Sequence, residues 1–227
     1  MYLDEHMSSR KIAEKYNCWG STIIYHLKEW DVPIRSNVNN EQYNNTYHSN
    51  IHYFDKIDSL EKAYWIGYIA ADGHVSNSTL MLACSYVDSD ILYKFRSCIN
   101  SNHPFGVTQD GNPTFSITSK HIVETLNGYG LYHDKTYSMH LRDLIEFIPE
   151  KYQHAFFTGL FDGDGSIRFY NYDYVNGFQY HLGFTGLKES AELFAENFHI
   201  NTKPVNEGNN IYTVRTANAP LIYWCIH

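Results

Sequence analysis

The run of apolar and polar positions predicts helices at the front of the chain, an aperiodic stretch, and then two similar helix-and-strand halves. In Ser9-Arg10-Lys11-Ile12-Ala13-Glu14-Lys15-Tyr16, helical spacing puts Ile12, Ala13 and Tyr16 on one face. Asn17-Cys18-Trp19-Gly20 supplies a turn, after which Ser21 or Thr22 caps a second helix with Ile23, Ile24, Leu27 and Trp30 turned inward. Asp31-Val32-Pro33 ends it, because the residue before a proline avoids the helical region. Residues 37–53 are Asn-rich and without period and read as a linker. A capping box of Asp58 and Glu61 opens a helix running to Gly73, and Pro149, suited to a first helical position, opens another running to Gly165. Strands follow. From Phe178 to Thr185 the even positions are apolar or aromatic and the odd ones polar or small; Ile167 and Phe169 likewise stand against Arg168, Tyr170 and Tyr172. A sheet with one packed face and one polar, Tyr-rich face would account for the 20 tyrosines.

The two long helices are copies of one another. Gly67 answers Gly159, Ala71 answers Gly163, and Asp72-Gly73 answers Asp164-Gly165. Downstream, Phe115-Ser116-Ile117-Thr118-Ser119 matches Tyr212-Thr213-Val214-Arg215-Thr216. Each unit, residues 54–148 and 149–227, reads helix, two strands, helix, two strands, helix, which makes the chain α+β with an internal duplication. Small residues four apart cost helix propensity, up to about 1 kcal/mol per glycine, and leave a flat stripe against which another backbone can lie. Gly73 and Gly165 suit a left-handed residue just past a helix end. Asp72 and Asp164 then fall in the last turn, where the helix dipole disfavours a carboxylate by roughly 0.3–1 kcal/mol. One such Asp could merely cap the next turn. Two in matching places, brought together through Gly67, Ala71, Gly159 and Gly163, imply a divalent cation held by oxygen ligands, with Mg2+ activating water and stabilising charge on a phosphate. A calcium loop at Asp162-Gly163-Asp164-Gly165 does not fit, since its first and twelfth ligands would be Leu160 and Asn171.

Helix, tight turn and Ser/Thr-started helix over residues 1–36 is also the pattern of a helix-turn-helix. Its second helix would offer Ser21, Thr22, Tyr25, His26 and Lys28 to a major groove, with Arg35 in a following arm. The same spacing fits a helical hairpin that only packs on a neighbour, and five basic against five acidic side chains through Arg35 do not separate the two readings. His48 and His52, four apart, could hold a metal on a helix, but no third ligand is near them in sequence.

Composition adjusts this picture. With 43% hydrophobic residues in 227, the chain can bury a core. No apolar run approaches membrane length and no signal peptide opens the chain, so a cytoplasmic, intracellular protein is expected. The cysteines at 18, 84, 98 and 225 lack zinc-ligand spacing and read as free thiols. The net charge of −8 runs against a nucleic-acid partner, because phosphate binding depends on Lys and Arg.

The paired segments Trp65-Ile66-Gly67-Tyr68-Ile69-Ala70-Ala71-Asp72-Gly73 and Phe157-Thr158-Gly159-Leu160-Phe161-Asp162-Gly163-Asp164-Gly165 resemble the two signature helices of LAGLIDADG homing endonucleases in their single-chain form. Tyr53-Phe54-Asp55-Lys56-Ile57-Asp58 is similar to the approach to the first helix in members that carry an N-terminal helix-turn-helix. The resemblance implies two pseudo-symmetric αββαββα repeats forming a DNA-binding saddle, in a monomer that binds double-stranded DNA. It further implies site-specific double-strand cleavage with Mg2+, Mn2+ being able to substitute, and no small-molecule cofactor or membrane. Asp72 and Asp164 inherit the catalytic and metal-binding role, while Ala70 and Asp162 occupy a motif position where an acid is not catalytic. No lysine falls on the strand ends near Ser85 and Thr185, so Arg168 and Lys135 are nominated as supporting basic groups. DNA contacts would come from Lys120, Arg168, Lys188 and Arg215, helped by many Tyr, Asn, Ser and Thr side chains. The chain stops inside what should be the last helix of the second repeat, which suggests a trimmed end. The alternatives are a non-catalytic DNA-binding regulator and an RNA maturase on the same scaffold; the retained Asp pair favours cleavage.

Overall fold

The computed structural model describes residues 1–5, 7–34, 47–132, 140–172 and 177–217. Met1–Asn50 with Asn100–His103 form one compact unit, and Ile51–Ile99 with Pro104–His227 another.

In the first unit, α1 (Ser9–Lys15) starts at Ser8, whose Oγ accepts the Lys11 N–H at 3.2 Å. Asn17 makes the turn with φ 50°, a left-handed conformation that Asn tolerates. The second helix, α2 (Gly20–Glu29), begins one residue before the expected caps: Trp19 is the N-cap and gives no side-chain hydrogen bond. Ser21 and Thr22 therefore lie in its first turn. Of the inward set only Leu27 is buried, alongside Ile12 and Ala13, whereas Trp30 is 68% exposed. Two short helices bury one narrow seam, and Trp30, at the C-cap, lies past its end.

In the second unit, α3 (Leu60–Asp72) is capped by Ser59, whose Oγ accepts the Lys62 N–H at 3.2 Å. The cap is thus displaced by one residue from Asp58, and with Lys62 at the third helical position there is no capping box. Asp58 instead pairs with Lys62 at 2.8 Å, and Glu61 accepts the Tyr53 hydroxyl at 2.5 Å. Then come β1 (His74–Ser76), β2 (Thr79–Ala83), α4 (Asp90–Cys98), β3 (Gly106–Val107), β4 (Pro113–Thr118) and α5 (Lys120–Gly128). A short helix, α6 (Leu141–Glu146), leads into α7 (Glu150–Asp164), β5 (Gly165–Tyr172), β6 (Gly177–Leu187), α8 (Lys188–Asn197), β7 (Val205–Gly208) and β8 (Ile211–Thr216). Both sheets are antiparallel with the same order, β1-β2-β4-β3 and β5-β6-β8-β7. The α+β duplication is observed; the expected final helix of the second repeat lies outside the described residues.

The register refines the repeat. Phe115 pairs with Leu82 and Val214 with Phe184, so the counterpart of Phe115 is Val214 rather than Tyr212. A two-residue slip leaves every side chain on its original face, which is why the sequence match tolerates it. Leu80, Leu82, Phe115 and Ile117 of one sheet, and Leu182, Phe184 and Val214 of the other, are buried under the helices. Phe184 stacks on Phe194 of α8 at 4.5 Å between ring centroids. Ile167 and Phe169, expected on the packed face, are 41% and 52% exposed; Phe169 rests against Tyr180 at 5.3 Å. Among the described residues, β5 is an edge strand with only β6 beside it. Nor do the tyrosines all collect on an open sheet face, since Tyr53 and Tyr68 are buried in the core. Among the described residues, no helix is long and apolar enough to cross a membrane.

Candidate active site at the ends of the paired helices

α3 and α7 pack on one another through their small residues. A Cβ on Gly67 would run into the Phe156 carbonyl oxygen, and one on Gly159 into that of Tyr64. The reciprocity is that of a two-fold axis between the helices. One turn later the symmetry has a single exception: the Ala71 methyl occupies the space that a Cβ on Gly163 would need. The whole predicted stripe is therefore at the interface, with backbone against backbone at its centre. Gly73 and Gly165 do not adopt the expected left-handed conformation, having φ −70° and −82°. They are small for another reason: a Cβ would strike Ile69 at Gly73 and the Phe161 ring at Gly165, where the chain folds back over the helix end.

This packing carries Asp72 and Asp164 to neighbouring positions. Each is the last residue of its helix, and both are exposed. The Asp72 carboxylate runs beside the opposite helix; a Cβ on Gly163 would be 3.4 Å from its Cγ and Oδ2. Asp164 lines a cavity of about 200 Å³ with Ala70 and Ala71 from α3, together with Leu160, Thr185 and Ser190. Asp72 lines another, of about 410 Å³, with Asp162 and Gly163 from α7. Each carboxylate thus meets the end of the other helix.

The two cavities differ in charge. Around Asp72 stand Tyr64, Tyr68, Cys84, Asp88, Asp90, Lys94 and Asp162. The Tyr64 hydroxyl donates to Asp162 Oδ2 at 2.6 Å. Burial pushes the Asp162 carboxyl above its usual range, against the opposing effects of that bond and of Lys94. Burial, then the charge of Asp72, raises the Tyr68 phenol. The Cys84 thiol is raised by burial, then by Asp88 and Asp72. The donors are of the kind a hard dication takes: one helix-end carboxylate in each cavity, at the negative end of its helix dipole, with the other acids around Asp72 adding to the negative potential there.

Arg168 is exposed on β5, where it pairs across to His181. Arg215 on β8 pairs with Gly183, and its Cγ is 3.6 Å from where a Gly183 Cβ would lie. Gly183 pairs in turn with Ser166, so Arg168 and Arg215 share the open face of the sheet, opposite Leu182, Phe184 and Val214. Lys120 and Lys188 do not join them. They open α5 and α8, which pack on the covered faces, and each meets an acid one turn on, Glu124 at 3.3 Å and Glu192 at 3.7 Å. Arg215 also has a partner, Glu207 at 3.4 Å. On α2, Ser21, Thr22, Tyr25 and Lys28 are exposed, while His26 Nδ1 lies 3.0 Å from Glu29 and its ring stacks on Trp30. Lys135 and Arg35 lie outside the described residues. Tyr64 and Tyr68, unassigned from sequence, stand eight and four residues before Asp72, and helical period alone would have placed them on its face. Asp88 and Asp90 arrive through the β2–α4 connection, which carries no comparable signal.

The fold defined by these paired helices and matching sheets is that of the LAGLIDADG homing endonucleases. Among solved structures, the LAGLIDADG homing endonuclease I-GzeII in complex with its DNA target is similar, with a TM-score of 0.51 and 14% identity over 72% of this chain and 83% of that one. The I-LtrWI LAGLIDADG homing endonuclease bound to target DNA gives 0.50 and 13% over 78% and 82%. Meganuclease I-SmaMI, bound to uncleavable DNA, gives 0.50 and 13% over 72% and 80%. No family model and no curated protein matches the sequence.

Proposed function

We propose that this protein is a site-specific endonuclease for double-stranded DNA, with Asp72 and Asp164 holding Mg2+ and a single chain supplying both halves of the site. The observation that carries this reading is the convergence of two helix-end carboxylates across an interface of glycines. The fold shared with DNA-bound homing endonucleases supports it. Bound there, Mg2+ would activate a water and neutralise charge developing on the scissile phosphate; Mn2+ has the same oxygen preference and would substitute. The chain's own part is to bring one carboxylate to each half of the site and fix both through a rigid helix pair. Tyr64 donates to Asp162 Oδ2 and so holds that neighbouring acid in place beside Asp72. Arg168 and Arg215 would contact the DNA from the open sheet face, with Ser21, Thr22, Tyr25, His26 and Lys28 of the front module adding a second foothold. Lys120 and Lys188 are the weaker candidates, given where their helices pack. The protein would work inside the cell as a monomer.

The test is single substitution. Asp72→Asn and Asp164→Asn should each abolish double-strand cleavage while leaving DNA affinity within a few-fold of wild type, read by gel electrophoresis and fluorescence anisotropy. Full double-strand cutting by either variant would refute the two-acid site.

A further inference from the structure

A second cluster of metal-ligating side chains lies at the other end of α3. Asp55 uses its two carboxylate oxygens separately: Oδ2 is 2.8 Å from His52 Nδ1 and Oδ1 is 2.6 Å from His121 Nε2. The two imidazole rings lie 4.5 Å apart between centroids, tilted by 60°. One ligand atom from each of the three residues lies within 4.8 Å of the others. Ligands at about 2.0–2.1 Å from a tetrahedral zinc ion are themselves separated by about 3.3 Å, inside the span already set here. Two neutral imidazoles and a carboxylate are a borderline donor set, which suits zinc and not Mg2+. His48 is not one of the three; beside His52 stand Asp55, three residues on, and His121, distant in sequence and brought in by α5.

The supports of the three residues are rigid. The Asp55 N–H bonds to the His52 carbonyl at 3.2 Å, closing a turn that sets both side chains on one side. Phe54 between them is fully buried, and its carbonyl accepts the Tyr129 hydroxyl at 2.8 Å. His121 sits in the first turn of α5, whose Ser119 cap accepts the Ile122 N–H. The three side chains are reachable from solvent, His52 being 61% exposed, Asp55 40% and His121 39%. Asp72 ends α3, about 18 Å along the helix from Leu60, the first residue after the segment that carries His52 and Asp55.

We propose that His52, Asp55 and His121 form a binding site for a zinc-type dication that clamps the segment before α3 to α5, apart from the helix-end carboxylates. The test is titration of the chelator-treated full chain with ZnCl2 by isothermal calorimetry, with melting curves alongside. One tight Zn2+ per chain is expected, with a raised Tm and no displacement by a large excess of Mg2+. His121→Ala and Asp55→Asn should each weaken it more than tenfold while circular dichroism is unchanged. Should His121→Ala fail to fold, Asp55→Asn, nearly isosteric, decides alone. The Asp72→Asn/Asp164→Asn protein should bind zinc like wild type. No Zn2+ binding by wild type, equal binding by the folded variants, or loss in the Asp72→Asn/Asp164→Asn protein overturns the proposal and leaves a hydrogen-bonded triad only.

Discussion

Gly163 and Ala71 are where the stripe of small residues departs from symmetry, and they make the interface testable one methyl at a time. Gly163→Ala should clash with the Ala71 methyl and cost about 1–3 kcal/mol in urea denaturation. Adding Ala71→Gly moves the one permitted methyl to the other helix and should recover most of that loss; no recovery would mean that the clash is not the cause. Gly67→Ala and Gly159→Ala have no such remedy, because the obstacle is a carbonyl of the opposite backbone. Both should lower stability further than Gly163→Ala. These glycines were legible in the sequence because a costly residue recurred at helical spacing in both copies. The reason for Gly73 and Gly165 was not: a close fold-back and a left-handed turn both select glycine, and only coordinates distinguish them.

At the N-terminus of α3 the cap and the ion pair are separable. Ser59→Ala removes the acceptor for the Lys62 N–H and should cost about 1 kcal/mol by denaturant unfolding. Asp58, held below the usual carboxyl range by its bond to Lys62, contributes through its charge. A depressed native pKa stabilises the fold above the unfolded value of 3.8, and the contribution is lost as pH falls through the native value. Asp58→Asn should therefore lower Tm slightly at pH 7, and the difference should vanish in strong acid; a difference that persisted there would point to packing instead. Asp58, Ser59 and Glu61 together mark a helix start in sequence, but the choice among adjacent polar residues depends on which side chain is left facing the first turn. Strand register had a similar ambiguity, since a slip of two on β8 preserves the alternation that was being read.

For the whole molecule, the difficulty is a net charge of −8 on a proposed DNA binder. Several of its basic groups face acids: Lys120 with Glu124, Lys188 with Glu192, Arg215 with Glu207. Exposed pairs of this kind contribute little to stability, about 0.2–1 kcal/mol. Replacing the three acids by Gln brings the charge from −8 to −5 and should tighten DNA binding with only a small change in Tm. The gain should be largest at low salt, and most of it should come from Glu207→Gln, because of the three paired bases Arg215 alone lies on the open sheet face. Equal contributions from all three would say that overall charge, not that face, governs affinity. The duplication and its two acids were readable because they repeat. The acidic surroundings of Asp72 were not, because the residues around Asp164 are uncharged, and a feature present in one copy only has nothing in the sequence to answer it.

The most direct measurement is selection from a randomised duplex DNA library in Mg2+, with both cut ends sequenced and the Asp72→Asn/Asp164→Asn protein run in parallel. The two-acid site predicts cleavage of both strands at one long, defined site by the wild type and an intact library with the double variant. Cutting that survives in the double variant, or a wild type that captures a defined site and never cuts it, would contradict it.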